Sequence, residues 1–274
     1  MARSDGVHES RLEMEFFPVL KREILSFFGA HRVEILKPTP GREAYVGFDQ
    51  GFVLGDQAPT ISHNAFLRQL GDDLRHGVST TALFHLAYFL QYKVVERMER
   101  RRAPCPAGFV NPHFRAALDL DANPGTGRSQ HATLRRLCAL PGAEVYYACP
   151  MVFDVQKLKV EASLDDLVLA NVAESPIDWK DGEEHYLMYQ DPAGNPWWCS
   201  DPVEGQRVDP KQAWAASERR GPASTTRFLE AARQQTRRAG AAELRTKGGL
   251  PESLRLISVT LDPNVPPVFP EERQ

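Results

Sequence analysis

Apolar residues between Ser10 and Phe28 recur at helical spacing. Phe16, Phe17, Leu20, Ile24, Phe27 and Phe28 fall on one face at about 100° per residue, and Gly29 ends the run. Glu13 lies within that apolar face and Glu15 almost opposite, so helix phase sends Glu13 inward and Glu15 to solvent. An acid on the buried side of a helix needs a partner or a task. A strand follows at Arg32–Leu36, closed by the turn chemistry of Lys37-Pro38-Thr39-Pro40-Gly41. Glu43 to Leu54 reads as a second strand bent at Gly47 and Gly51, Ile61 to Arg75 as irregular to helical, and the apolar run Leu83–Val95 as a third strand.

Leu134, Leu137 and Leu140 predict a helix over 129–140, stopped by Pro141-Gly142, and Glu144–Cys149 predicts a fourth strand ended by Pro150. Helix, three strands, helix, strand is an α/β order. The three strands can form a meander, and the following helix allows a crossover to a strand added in parallel. Beyond Asp154 the pattern weakens to short apolar pieces at Leu164–Leu169 and Tyr186–Tyr189 and an aromatic turn at Trp197–Ser200. A helix over Thr225–Lys247 and an extended proline-rich tail, Pro263–Pro270, complete the reading.

Composition changes this picture little. The chain has 274 residues, 42% hydrophobic and 25% charged, enough for one substantial core with an elaboration. A net charge of −3 gives no sign of a nucleic-acid binder, though a local basic surface is compatible with it. No apolar run approaches the roughly 20 residues of a membrane helix, and the first residues lack the organisation of a secretory signal. Cys105, Cys138, Cys149 and Cys199 are far apart, which argues against zinc and for reduced thiols in a cytoplasmic protein.

The chemistry concentrates in Phe89-Leu90-Gln91-Tyr92-Lys93-Val94. Side chains alternate along a strand, so Gln91 and Lys93 share one face of an otherwise apolar segment. Burying such a pair is costly without a purpose. Asp49, after Gly47-Phe48 on the neighbouring strand, supplies one: a metal-bound phosphate with a lysine beside the attacking water.

Glu13, Asp49, Gln91 and Lys93, on helix, strand, strand and strand, resemble the PD-(D/E)XK nuclease superfamily in its Q-x-K variant. The resemblance spans residues 8–153. It implies a restriction-endonuclease-like core, a central mixed sheet flanked by helices, with residues 154–274 as a C-terminal elaboration packed on it. It also implies Mg²⁺, with Mn²⁺ as substitute, and hydrolysis of nucleic-acid phosphodiesters, DNA being the expected polymer. Antiviral defence is the setting it suggests. Carried over, Asp49 is the central metal-binding carboxylate, and Gln91 offers its amide oxygen where a carboxylate is usual. Lys93 orients or activates the water, and Glu13 completes the metal site. Two departures stand out. No proline precedes Asp49, and about 40 residues separate it from Gln91, which keeps Asp56, Asp72 and Asp73 as rivals, Asp56 foremost.

Four further residues are candidate substrate contacts: Gln130 and His131 at the start of the helix after the third strand, and Arg97 and Arg100 in the basic run just past the Q-x-K segment. Each has a structural reading beside the functional one, as a helix first turn or a solvated loop. Arg227, Arg238 and Arg245 share one face of the late helix and suit a nucleic-acid groove or plain solubility. Trp179, Trp197 and Trp198 suit base stacking or core. No P-loop is present, so an ATP-driven step would fall to a separate partner, and a homodimer is equally compatible. The alternative from a different class is a nuclease-fold subunit, weak or inactive in catalysis, that binds nucleic acid or assembles with a partner effector.

Overall fold

The computed structural model describes residues 7–30, 33–54, 63–76, 86–101, 105–140, 142–153, 156, 162–176, 179, 184–200 and 202–219. The chain divides into two compact units, Met1–Phe228 and Leu229–Gln274, and all described residues belong to the first. The expected helix over Thr225–Lys247 with its arginines, the proline-rich tail and Asp56 lie outside the described residues.

Helix α1 (Glu9–Phe28) is followed by β1 (Val33–Leu36), α2 (Pro40–Val46), β2 (Gln50–Leu54), α3 (His63–His76) and β3 (Leu86–Tyr92). Then come β4 (Val95–Met98), β5 (His113–Leu118), α4 (Gln130–Cys138), β6 (Ala143–Pro150), β7 (Leu167–Asn171), β8 (His185–Tyr189) and β9 (Trp197–Cys199). Short strands β10 (Val203–Glu204) and β11 (Arg207–Val208) precede α5 (Pro210–Arg219). The fold is α/β with two sheets. A mixed six-stranded sheet runs in the order β1-β2-β3-β6-β7-β11, and an antiparallel one in the order β10-β9-β8-β5-β4. The expected meander is present as antiparallel β1-β2-β3, and β6 joins β3 in parallel, with Gln91 opposite Tyr147.

Two apolar layers hold this arrangement. On one face of the six-stranded sheet, Leu12, Phe16, Leu20 and Ile24 of α1 and Trp214 of α5 pack over Phe52, Leu54, Tyr88, Leu90 and Tyr92. On the other, Phe89, Val145, Tyr147 and Val168 meet Val46 of α2, Leu70 of α3 and Leu134 of α4, together with Val95, Phe114, Leu187 and Trp198 of the second sheet. Each such side chain, fully buried, contributes about 1.5–3 kcal/mol. Core on both faces makes β3 the central strand, as its apolar run suggested.

Three expectations need correction. Glu43 does not open a strand. Residues 40–46 form helix α2, with Pro40 at its start and Gly47 closing it at φ +81°, where the Gly47 N–H donates to the Glu43 carbonyl at 2.7 Å. Proline at the first helical position and glycine just past the last favour this over a strand. Nor is Leu83–Val95 one strand. Residues 83–85 lie outside the described set, β3 ends at Tyr92, and the chain turns into the second sheet at Val95. Phe89 and Val95 bury in the same core, so the apolar pattern continues through the corner. Finally, residue 153 is not a boundary. Strands β7 and β11 complete the first sheet from beyond it, and β8 and β9 pair onto β5 in the second. Among the described residues, no helix is long and apolar enough to cross a membrane.

Candidate functional site

The site forms where β2 begins and β3 ends. The ladder places Gln50 opposite Leu90, so Asp49, one residue earlier, falls opposite Gln91. Two bonds fix Asp49 there: its N–H donates to the Leu90 carbonyl at 2.9 Å, and its Oδ2 accepts from the Tyr92 N–H at 2.7 Å. Residues directly opposite on neighbouring strands share a sheet face, so Asp49 and Gln91 are side by side. Gln91 is almost fully buried. Its Nε2 donates to the Tyr92 carbonyl at 3.3 Å, while its Oε1 is buried with no hydrogen-bond partner. An orphaned buried acceptor is rare enough to require a reason.

Lys93 follows as the chain leaves β3. Its N–H donates to the Ala148 carbonyl at 2.9 Å, adding one rung beyond the strand. Its side chain is only 5% exposed and ends 3.2 Å from Glu9 Oε1. Glu9, one helical turn before Glu13, is the acid of α1 that meets the lysine. The Glu9 side chain is 44% exposed overall, yet burial of its carboxyl raises its pKa against the pull of Lys93, with Asp49 and Asp119 adding to the rise.

Glu13 is turned inward, as helix phase predicted, but it is already engaged. Lys37 pairs with its Oε1, and the Gln50 amide donates to the same oxygen at 3.1 Å. The Tyr92 hydroxyl reaches the Gln50 Oε1 at 3.5 Å, extending this network along the α1 face. Glu13 is thus held beside the Asp49–Gln91 pair rather than within it. Its charge is still felt as the smallest of the influences on Asp49.

Asp49 has the most informative electrostatics. Burial comes first and the neighbouring Glu43 carboxylate second, and together they raise its carboxyl from 3.8 to about 7, with the Tyr92 N–H pulling the other way. Glu43, on α2, is the neighbouring charge that acts most strongly on Asp49. It also lines an open cleft of about 360 Å³ together with Gly47, Asp119, Asp121, Asn123 and Gln130. Gln130, the first residue of α4, is part of that lining.

His131, its neighbour, faces the other way. It is buried, its Nδ1 lies 3.0 Å from the Tyr147 hydroxyl and its Nε2 3.3 Å from the Ser175 hydroxyl, and its ring stacks near Tyr147 and Trp179. Burial, then Arg135 and His185, push its pKa down to about 3, so it is a neutral interior histidine. Arg97 sits on β4, the outer strand of the second sheet, paired with Glu99 at 3.2 Å, and Arg100 is exposed at the bend that follows. Of the rival acids, Asp72 is exposed on α3. Trp198 is fully buried in the core and Trp179 packs against it.

Glu9, Glu43 and Asp119 were not singled out from sequence. Glu9 carried a usable signal, since a residue four before Glu13 shares its helix face. Glu43 was hidden by reading α2 as a strand, and Asp119 follows a strand whose place in a second sheet no pattern revealed. Among the described residues, no three His, Cys, Asp or Glu side chains are grouped to hold a metal ion. Asp49 and Glu43 with the Gln91 oxygen make two carboxylates and an amide, all hard oxygen donors. That set suits Mg²⁺, which keeps several waters and commonly takes only one or two carboxylates. Comparison with family models, with curated proteins and with solved structures finds no match.

Proposed function

We propose that the chain is a Mg²⁺-dependent nuclease acting at the end of β3. The observation that carries this reading is the convergence of three features: an acid with proton affinity raised to about 7, an unpaired buried amide oxygen and a buried lysine. The acid's neighbour, Glu43, opens onto the cleft. Carboxylates crowded in this way lack positive charge, and a cation would relieve both the Asp49–Glu43 repulsion and the orphaned Gln91 oxygen. Asp49, Gln91 and Glu43 would hold the ion, which when bound supplies charge neutralisation at a phosphoryl oxygen and a more acidic water. Lys93, steadied by Glu9, presents a fixed ammonium that orients a water and stabilises charge growing on phosphorus-bound oxygens. Gln130 contacts substrate in the cleft. The order of helix, meander, helix and parallel strand supports the resemblance to PD-(D/E)XK nucleases, and DNA is the polymer of choice.

The test is cleavage of plasmid and oligonucleotide substrates with Mg²⁺ and with EDTA, using wild type and Lys93→Ala side by side. Mg²⁺-dependent cleavage lost in Lys93→Ala, with binding retained, is the expected result. Equal cleavage by both proteins, or cleavage that survives EDTA, sinks the reading. One observation favours a second reading. Lys37 already neutralises Glu13, which leaves the metal site without the helix acid the resemblance called for. On that reading the chain is a nucleic-acid-binding or assembly subunit with weak catalysis, and it binds without Mg²⁺-dependent cleavage.

A further inference from the structure

Three arginines gather at the carboxyl end of α3, and one of them, Arg128, bridges to Asn123 in the lining of the acidic cleft. Arg128 donates from Nη1 to the Leu74 carbonyl at 3.2 Å and from Nη2 to the Arg75 carbonyl at 2.9 Å. Arg136, on α4, donates to the same Leu74 carbonyl at 2.7 Å. Two guanidinium groups therefore share one acceptor oxygen at the end of α3. Arg75 itself lies with its guanidinium 5.3 Å from the centre of the Tyr45 ring. Arg75 and Arg136 are exposed, and among the described residues no carboxylate forms an ion pair with any of the three.

A helix carboxyl end carries roughly half a negative charge. Three guanidinium charges exceed that several-fold, so capping α3 leaves most of the positive field facing solvent. Arg128 registers the excess: burial first, then Arg136 and Arg75, lower its pKa. Each guanidinium has five N–H donors, and these bonds use two of them on Arg128 and one on Arg136.

The position gives the field a direction. Asn123 and Arg128 bridge each other across the 123–128 turn, and Asp121, Asn123 and Pro124 of the same segment line the cleft. Gly125 of that turn approaches Tyr45, over which Arg75 lies. Acid in the cleft and base on its flank divide the work of holding a polyanion. The cleft suits a cation and the scissile group, while the flank suits the phosphates that continue the strand.

We infer that Arg75, Arg128 and Arg136 form a backbone-binding site for the nucleic-acid strand leaving the cleft, an inference that rests on the nuclease reading of that cleft. Phosphodiester oxygens are the ligand. Contacts of this kind position the strand without reading its sequence.

The experiment measures binding apart from chemistry. A labelled DNA duplex is titrated by fluorescence anisotropy with the full chain carrying Lys93→Ala, in Mg²⁺, across about 50–200 mM salt. On that background, Arg75→Ala/Arg136→Ala is compared with Arg75→Lys/Arg136→Lys. The control, Arg22→Ala/Lys211→Ala, removes two exposed charges beside Glu23. The alanine pair is expected to weaken binding on the order of tenfold and to lower the slope of log K against log salt by about 1.8, two phosphate contacts' worth. The lysine pair should recover the slope, and the control should match the background. Circular dichroism checks that loss of the Arg136 cap leaves the fold intact, and the lysine pair decides the matter if it does not.

An alanine pair with unchanged affinity and slope overturns the inference, as does an equal loss in the control. Displacement of the duplex by inorganic phosphate at constant ionic strength would assign the patch to free phosphate and overturn it too. Failure to bind any duplex would do the same. Wild-type cleavage is scored separately, so the nuclease reading can survive a failed patch, and the patch can survive a failed nuclease reading.

Discussion

Asp49→Asn should stabilise the metal-free protein, and the gain should grow with pH. The Asp49 carboxyl is raised from 3.8 to about 7, by burial first and by Glu43 second. Between those values the folded chain holds a proton that the unfolded chain has given up, so stability falls as pH rises through the window. About three pH units at roughly 1.4 kcal/mol each amount to about 4 kcal/mol in full. Part of the rise comes from the neighbouring Glu43 charge, which makes that figure an upper bound. Asparagine keeps the acceptor for the Tyr92 N–H and removes the charge. The substitution should therefore do little near pH 4 and recover most of the loss near pH 8.

The wild-type profile alone would conceal this effect. His131 is pushed down to about 3, so the folded state excludes a proton that the unfolded state accepts below 6.5. That contribution is lost as pH falls from 6.5 toward 3, the opposite slope over much of the same range. The two nearly cancel, and only the difference between wild type and Asp49→Asn isolates the carboxylate. Urea unfolding in EDTA at about pH 4.5 and about pH 8 measures it. The expected gain at the higher pH corresponds to a rise in Tm of up to about 8–16 °C for a unit of this size. A gain independent of pH, or a variant less stable than wild type near pH 8, would refute the reasoning. Added Mg²⁺ near pH 8 should stabilise wild type and leave the variant unmoved.

Three further outcomes are expected. Glu13→Ala should reduce cleavage more than Glu15→Ala on protein shown to be folded, because Glu13 anchors Lys37 and Gln50 beside the site; equal activities in the same assay would remove α1's Glu13 from it. Gly47→Ala should cost about 1–2 kcal/mol in chemical denaturation, since alanine is disfavoured at φ +81° and its Cβ would lie 3.1 Å from Thr133 Cγ2. His131→Phe should remove the histidine's share of the pH dependence, so that stability rises as pH falls from about 6 to about 4 where wild type stays nearly level, at a cost near neutrality from the Tyr147 hydroxyl left unpaired, both read from the same unfolding curves.

Much of the fold was legible because periodicity and burial agree in the elements of the first sheet. The apolar face of α1, the meander and the parallel partner β6 follow from patterns spanning several residues each. Where the reading failed, two signals competed. In 40–46 the alternating Ala44-Tyr45-Val46 resembled a strand, while Pro40 and Gly47 marked a short helix, and the terminal signals prevailed. Across 86–98 one apolar run served two sheets that bury against a single core, so hydropathy could not show the corner. The second sheet pairs segments up to 75 residues apart, Phe114 with Tyr189, so the short apolar pieces at Tyr186–Tyr189 and Trp197–Ser200 carried no sign of the sheet they join.

The corner also explains why the candidate site can exist. Lys93 keeps one ladder bond to Ala148 beyond the end of β3, and its ammonium meets Glu9 in the first turn of α1. Asp49 and Gln91 lie opposite each other where β2 begins and β3 ends, so acid, amide and lysine come together at one end of the sheet. Within the ladder a polar side chain would lie under the α1 layer or under the layer of α2 and α4. At the strand end the chain turns away toward Val95, and carboxylates carried by α1 and α2 act on the same few residues, Glu9 on Lys93 and Glu43 on Asp49.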